Sequence, residues 1–400
     1  MRAYLDYAAT TPVRKEVIEV MAPFWRQKFG NPSSIHSWGR EAKVALEESR
    51  NIIAGILGAK PLEIIFTSCG TEASNLAIKG LIEGLKSLKG SKSLRERPHL
   101  IVSPVEHHCV LETVKHLEKK SEVEVSWLKV DRTGLVDPKE VISFIRPNTI
   151  LVAVMLGNNE VGTIEPVAEI GKLLTTYNMK HGTPNRIYFY TDAVQAVQYL
   201  NCNVRRLGVD LLSLTAHKFG GPKGIGALYV RRGTPLVRQQ DGGGQERNLR
   251  SGTENLAYIV GMAKALELAV KERGETAAKI TELRNKLITG VLEKISGAVL
   301  TGHPALRLPH IASFLIPGIE AESALLLLDE RGIAASSGSA CTSGSLEPSP
   351  VLRAMGYTPF QAHGSLRFSL GKETTEREID YVLTVLPGVV EKLRRMAPKI

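Results

Sequence analysis

The sequence predicts an α/β fold: a large domain on a mostly parallel sheet, then a smaller α+β domain toward the carboxyl end. Three observations carry this. Short apolar runs alternate with stretches of helical period over the first part of the chain. Those runs are apolar nearly throughout, as in strands covered on both faces. After the long helical region "ENLAYIVGMAKALELAVKERGETAAKITELRNKLITGVLEKI", strand signals become sparse. With 400 residues, 43% of them hydrophobic, the chain can fill two cores. The expected division is 16–262 for the large domain and 263–400 for the small one, with 1–15 packing on the latter.

In chain order, "RKEVIEVMAPFWRQKF" places Val17, Met21, Phe24 and Trp25 at helical spacing, and Gly30-Asn31-Pro32 stops it. A second helix, "WGREAKVALEESRNIIAGILG", closes on Gly58. Buried strands are read in "EIIFTS", "HLIVSPV", "TILVAVML", "RIYFYTD" and "VDLLSLTA". The small domain offers "HIASFLI", "GIAAS" and "SLRFSLG", with a helix "AESALLLLDER" between the first two.

Composition narrows the function. No apolar run is long enough for a membrane span. The amino terminus "MRAYLDYAATTPV" lacks the pattern of a signal or transit peptide, so a cytoplasmic protein is expected. Cys69, Cys109, Cys202 and Cys341 lie far apart with no C-x-x-C pair, against a disulfide framework or a structural zinc. The net charge of +10 suits acidic or phosphorylated ligands. The densest basic stretch, "GLKSLKGSKSLRERP", has no aromatic residue, so no direct nucleic-acid binding is expected. Its Lys86–Arg97 part reads as a solvated loop or as a contact for a protein partner.

Ligands of open α/β sheets bind at the carboxyl ends of strands. Gly70 and Thr71 follow "EIIFTS" at a helix start, where N–H groups make an anion cradle, although an ordinary strand–helix turn reads the same. Glu106, His107, His108 and Cys109 follow "HLIVSPV"; three consecutive potential ligands cannot all face one metal, and none is predicted. A single histidine there can stack on a planar ligand or move protons, or simply be a satisfied core residue. Asn159 stands in the polar turn after "TILVAVML". Asp192 and Gln195 follow "RIYFYT" at i,i+3 spacing, on one face of a starting helix, and an N-cap is the plain alternative for Asp192. Thr215, His217 and Lys218 come directly beyond "VDLLSL", before a glycine-rich return. An amine at that edge must meet an anion or react covalently. Lysine as Schiff base, carboxylate as pyridinium partner and phosphate cradle together describe a pyridoxal phosphate site. "GGPKGIG" lacks the residue order of a nucleotide P-loop.

With these motifs goes "SSGSACTSGSLEPSP", which surrounds Cys341 with small polar residues and neither bulky apolar neighbours nor ligand partners. Together with "FGNPSSIHSWG", "FTSCGTEASNLAIKG", "NNEVGTIEPV", "SLTAHKFGGPKGIGALYV", "GGGQERNLRSGTEN" and "AHGSLRFSLG", it resembles the pyridoxal-phosphate-dependent cysteine desulfurases of the NifS/IscS type. Those belong to the fold-type I, class V aminotransferase group. The resemblance implies conversion of L-cysteine to L-alanine, with sulfur left as a persulfide on Cys341 for an acceptor such as an iron–sulfur scaffold protein. It implies Lys218 as the cofactor lysine, His107 stacked on the ring and moving protons, and Asp192 on the ring nitrogen. Gln195 and Asn159 would lie by the phenolic oxygen and substrate, and Gly70, Thr71, Thr215 and His217 on the phosphate. Thr253 would reach the phosphate of the other subunit of a homodimer, and Arg367 would bind the substrate carboxylate. Period-2 alternation agrees for Arg367, since Leu366, Phe368 and Leu370 share the opposite face. A pliable loop suits a thiol that must collect sulfur and then deliver it. His108 and Cys109 fall outside the matched positions and are expected to leave the chemistry untouched. A selenocysteine lyase on the same scaffold is the rival.

Overall fold

The computed structural model describes residues 1–89, 97–182, 186–338 and 348–396, so Cys341 and most of the basic stretch Lys86–Arg97 lie outside the described residues. The strands among them are β1 (Ala3–Tyr4), β2 (Ile64–Thr67), β3 (His99–Val102), β4 (Glu124–Trp127), β5 (Thr149–Ala153), β6 (Tyr188–Asp192), β7 (Leu211–Thr215), β8 (Gly226–Val230), β9 (Val299–Leu300), β10 (Ile311–Leu315), β11 (Ile333–Ala334) and β12 (Ser365–Ser369). The central sheet runs β2-β8-β7-β6-β5-β3-β4. β8 is antiparallel to both its neighbours, and the remaining pairs are parallel. The α/β class read from the sequence is the fold observed.

Every residue of β2, β3, β5, β6, β7 and β8 is buried, which is why these strands read as unbroken apolar runs. One apolar cluster covers each face of the sheet, with Ile101, Val152 and Phe189 on one side and Leu100, Leu151 and Tyr190 on the other. The edge strand β4 carries no such signal. Its "EVSW" is half-buried throughout and has no run of apolar residues to mark it. The helix Ser37–Leu57 forms as expected and ends at Gly58, whose φ of +67° favours glycine. The first expected helix is instead two, Lys15–Met21 and Pro23–Arg26. Pro23 has no N–H to give the carbonyl of Glu19, so the ladder breaks there. Val17 and Met21 stay buried, while Trp25 is turned outward to 59% exposure. The long helical region likewise divides, into Leu256–Lys271 and Arg273–Lys294.

A second sheet, β12-β10-β9, is antiparallel, and β1 pairs with β11 in parallel. A further apolar cluster gathers Phe314, Leu366, Phe368 and Leu386, and draws in Ala3 and Leu5 from the amino terminus. The next few residues bridge the two sheets: Tyr7 N–H bonds to the Ser369 carbonyl and Thr11 N–H to that of His217. That crossing lays the Ala8 and Ala9 carbonyls over the carboxyl ends of β6 and β7.

Candidate active site

A cavity of about 290 Å³ opens at those strand ends. All the sequence-predicted site residues line it except Thr253, which lies elsewhere, and Cys341, which is outside the described residues.

Asp192 ends β6 and is buried. Its Oδ1 accepts the Val194 N–H at 2.8 Å, and its Oδ2 faces the Cys109 thiol at 3.9 Å. Burial pushes its pKa up to about 6, against the pull of the Val194 N–H and the Lys218 charge. The starting helix expected here does not form; residues 194–199 make turns, and Asp192 holds the first through its own carboxylate. His107 precedes the helix His108–Lys119, and its Nδ1 accepts the Cys109 N–H at 3.1 Å. That leaves Nε2 as the protonated nitrogen of a neutral ring. Burial, then the charges of Lys218 and His108, lower its pKa to about 4.

The same cavity holds a cradle. Gly70 opens the helix Gly70–Lys89, whose first amides have no intrahelical acceptor. A Cβ on Gly70 would stand 3.1 Å from Val194 and 3.7 Å from Thr215, in space the cavity uses. Thr215 gives its hydroxyl to the Ile225 carbonyl at 2.9 Å, and His217 Nδ1 meets Thr10 Oγ1 at 3.2 Å. Burial, with the charges of Lys218 and Lys223, lowers His217 to about 4. Lys218 stands on the tight turn after β7, with Nζ donating to the Ala8 and Ala9 carbonyls at 2.7 and 2.8 Å. Gln195 is beside it, its amide divided between the Ala8 carbonyl at 2.8 Å and His310 Nε2 at 3.1 Å.

β12 also contributes to the lining. Leu366, Phe368 and Leu370 enter the apolar cluster, so Arg367 points the other way, as the alternation predicts. Its guanidinium donates to the Asn159 carbonyl at 2.8 Å and to Asp6 Oδ1 at 3.0 Å. Arg367 Nε and Asn159 Oδ1 are buried with no hydrogen-bond partner among the described residues. Two unmet polar atoms on one wall mark where a polar ligand is wanted.

Sequence reasoning set Cys109 apart from the site, and the structure corrects this. Its buried sulfur lines the cavity beside Asp192 and donates to Ser74 Oγ at 3.3 Å. Cys69, Met155 and the Ala8–Ala9 carbonyls were missed as well. Cys69 and Cys109 each adjoin a predicted residue, and that adjacency was the available signal. Thr253 lines a second cavity of about 160 Å³ with Ser68 and Arg250. Its loop is pinned by Glu246, which holds Arg50 through both oxygens at 2.8 and 2.7 Å and accepts the Phe66 N–H at 2.9 Å.

The class-V aminotransferase pattern matches residues 3–382. The chain belongs to that family. It is 51% identical over 395 residues to a protein named cysteine desulfurase IscS from Dictyoglomus turgidum, covering 99% of this chain and 96% of that one. A human protein named cysteine desulfurase is 41% identical over 399 residues, with 99% and 83% covered. Among solved structures, a NifS-like protein superposes with a TM-score of 0.88 at 38% identity, covering 98% of this chain and all of that one. A structure titled SspA in complex with cysteine gives 0.77 at 36% identity, with 93% and 100% covered. Enzymes of this family depend on pyridoxal phosphate, and the residues fit it. A buried carboxylate, a helix start and an amine all line this one cavity.

Proposed function

We propose that the chain is a pyridoxal-phosphate-dependent cysteine desulfurase, converting L-cysteine to L-alanine and passing the sulfur to an acceptor protein. The observation that carries this is the convergence of Lys218, Asp192, His107 and Arg367 on one buried cavity in a chain so close to proteins named cysteine desulfurase. Neither the site nor those relatives favour the selenocysteine lyase.

Bound pyridoxal phosphate supplies an electron sink for the bonds at the substrate's Cα. The chain does the rest. Asp192 pairs with the ring nitrogen, and Gly70, Thr71, Thr215 and His217 hold the phosphate. Lys218 anchors the cofactor and then moves the proton at Cα. Arg367 matches the substrate carboxylate with its planar fork, Asn159 and Gln195 orient substrate and ring, and neutral His107 exchanges a proton at the substrate thiol. Cys341, as thiolate, takes the sulfur. The substrate's Cβ–S bond breaks and an S–S bond forms, so cysteine and an enzyme thiol give alanine and an enzyme persulfide. The carbon is reduced as the sulfur is oxidised, and no outside oxidant is needed.

The same reading assigns 16–262 as the cofactor domain and 263–400, with 1–15, as the domain carrying Cys341; the separate apolar cluster that includes Ala3 and Leu5 supports it. Thr253 serves the partner's phosphate in a homodimer, supported by its position away from its own cavity. The acceptor is an iron–sulfur scaffold and the compartment a reducing cytoplasm, in keeping with free thiols at Cys69, Cys109 and Cys202.

The test is to incubate the holoenzyme with L-cysteine, alkylate, and locate persulfide by peptide mass spectrometry while counting alanine. Persulfide on the Cys341 peptide with matching alanine is expected, and Cys341→Ser should abolish the persulfide. Alanine without it would overturn the role of Cys341, and no alanine would overturn the activity.

A further inference from the structure

β11 runs on to Ser336, whose backbone pairs with Arg367 in both directions, at 3.0 and 2.7 Å. Two residues later the described chain pauses at Gly338, and it resumes at residue 348, just before Ser349 caps the helix Pro350–Ala354. Both sides of that interval meet one carboxylate. Ser349 Oγ donates to Glu160 Oε2 at 2.5 Å. A Cβ placed on Gly338 would stand 2.7 Å from the same oxygen and 3.2 Å from Ser349 Cβ. Glu160 is buried, and its backbone N–H is held by Asn158 Oδ1 at 2.8 Å. The neighbouring Asn159 carbonyl accepts from Arg367 at 2.8 Å. One turn, 158–160, thus bonds the substrate-facing arginine and one stem of the segment that contains Cys341, and lies close against the other stem at Gly338.

We propose that Glu160 is a positioning residue: by bonding Ser349 and packing against Gly338, it sets where the segment bearing Cys341 leaves and rejoins the Arg367 wall. This rests on the desulfurase reading. The geometry gives the reason for each residue type. Ser349 donates to Glu160 while accepting the Leu352 N–H at 3.2 Å, so the stem and the helix cap are one contact. Gly338 offers no Cβ, so the backbone can close on the carboxylate. The distance from stem to Arg367 then becomes the distance from the thiol's tether to a substrate held by its carboxylate. A stem displaced by about 1 Å costs up to about 10²-fold in a positioned reaction.

The experiment compares holoenzyme of the parent with Glu160→Ala, Glu160→Gln and Gly338→Ala. Cysteine binding is read from the change in cofactor absorption, and sulfur loading from single-turnover persulfide on Cys341. Cysteine affinity should stay within about twofold, while loading slows at least about tenfold in Glu160→Ala and in Gly338→Ala. Glu160→Gln should recover most of it, because its amide oxygen still accepts the Ser349 hydroxyl. A general loss of folding would lower binding and loading together, with no rescue by glutamine. That result, or parental loading in Glu160→Ala, overturns the proposal. A parent that makes alanine but loads no persulfide on Cys341 overturns it too, as does one that makes neither product; the desulfurase reading itself falls only in the latter case.

Discussion

The parts of the cavity around Asp192 and around Arg367 are built in opposite ways. Around Asp192, the wall comes from the carboxyl ends of the central sheet and the turns that follow them: Asp192 ends β6, Lys218 follows β7, and His107 follows β3. Around Arg367, the contacts come from widely separated segments, with Asp6, Asn159, Ser336 and Arg367 meeting across two sheets. The first part inherits its precision from one hydrogen-bonded ladder. The second depends on how the sheets sit against each other, so changes there should alter substrate handling before they alter cofactor binding.

The largest effect is expected at the first part. Asp192→Asn cannot stabilise a ring cation, and turnover should fall about 10²–10³-fold, the scale of removing one preorganised electrostatic partner. The same change should stabilise the cofactor-free protein at high pH. The native pKa of about 6 lies above the ordinary aspartate value of 3.8, so the folded state binds the extra proton between them. Stability owed to Asp192 is therefore complete below about pH 4 and lost as pH rises through about 6, on the order of 3 kcal/mol in all. Thermal melts of cofactor-free protein should show Asp192→Asn above the parent at pH 8, with the gap closing near pH 4. An equal gap at both pH values would mean that Asp192 is not the strained group.

Arg367→Lys tests the other part. A lysine keeps the charge but loses the planar fork, which now serves Asn159 and Asp6 from two nitrogens and is matched to a carboxylate. KM for cysteine should rise about 10–100-fold, the worth of one or two charge-assisted hydrogen bonds. The absorption of bound cofactor should stay unchanged. If the cofactor is lost in parallel, the two parts are not separable and the comparison fails.

This contrast also decides what the sequence could reveal. Strand-end residues stand beside unbroken apolar runs, so Asp192, Lys218, Gly70 and His107 could be located by local pattern alone. Arg367 came from the family resemblance, and the alternation of β12 agreed with it. Glu160 was not, because its partners Gly338 and Ser349 are almost two hundred residues away and nothing local marks a buried carboxylate. β4 escaped because its residues are half-buried, and β8 because it lies in a glycine-rich return that reads as loop. The break at Pro23 could have been read, since the proline stands within an otherwise helical period. The partners of Gln195 are set by a chain crossing from the other sheet, and no local spacing reports them.

The smallest effect concerns Cys109, and it sharpens the description of the part around Asp192. Its thiol proton is directed to Ser74 Oγ at 3.3 Å, while the Asp192 oxygen is 3.9 Å away, at the limit of any hydrogen bond to sulfur. Losing that contact in Cys109→Ala should matter little by itself. The vacated sulfur volume matters more, because about 10–15 Å³ of probe space admits a water when polar partners are at hand. Ser74, Tyr190 and Ser213 already form a hydroxyl chain there, with 2.8 Å steps, and the carboxylate supplies a further acceptor. Water beside Asp192 would solvate its charge and lower its pKa below the present value of about 6. Turnover at pH 8 should change by no more than about threefold, since Asp192 is ionised in either protein. The acid-side loss of cofactor affinity should move to lower pH in Cys109→Ala, as read by equilibrium dialysis across pH 5–7. A shift to higher pH would show that the weak thiol contact, and not dryness, governs the carboxylate.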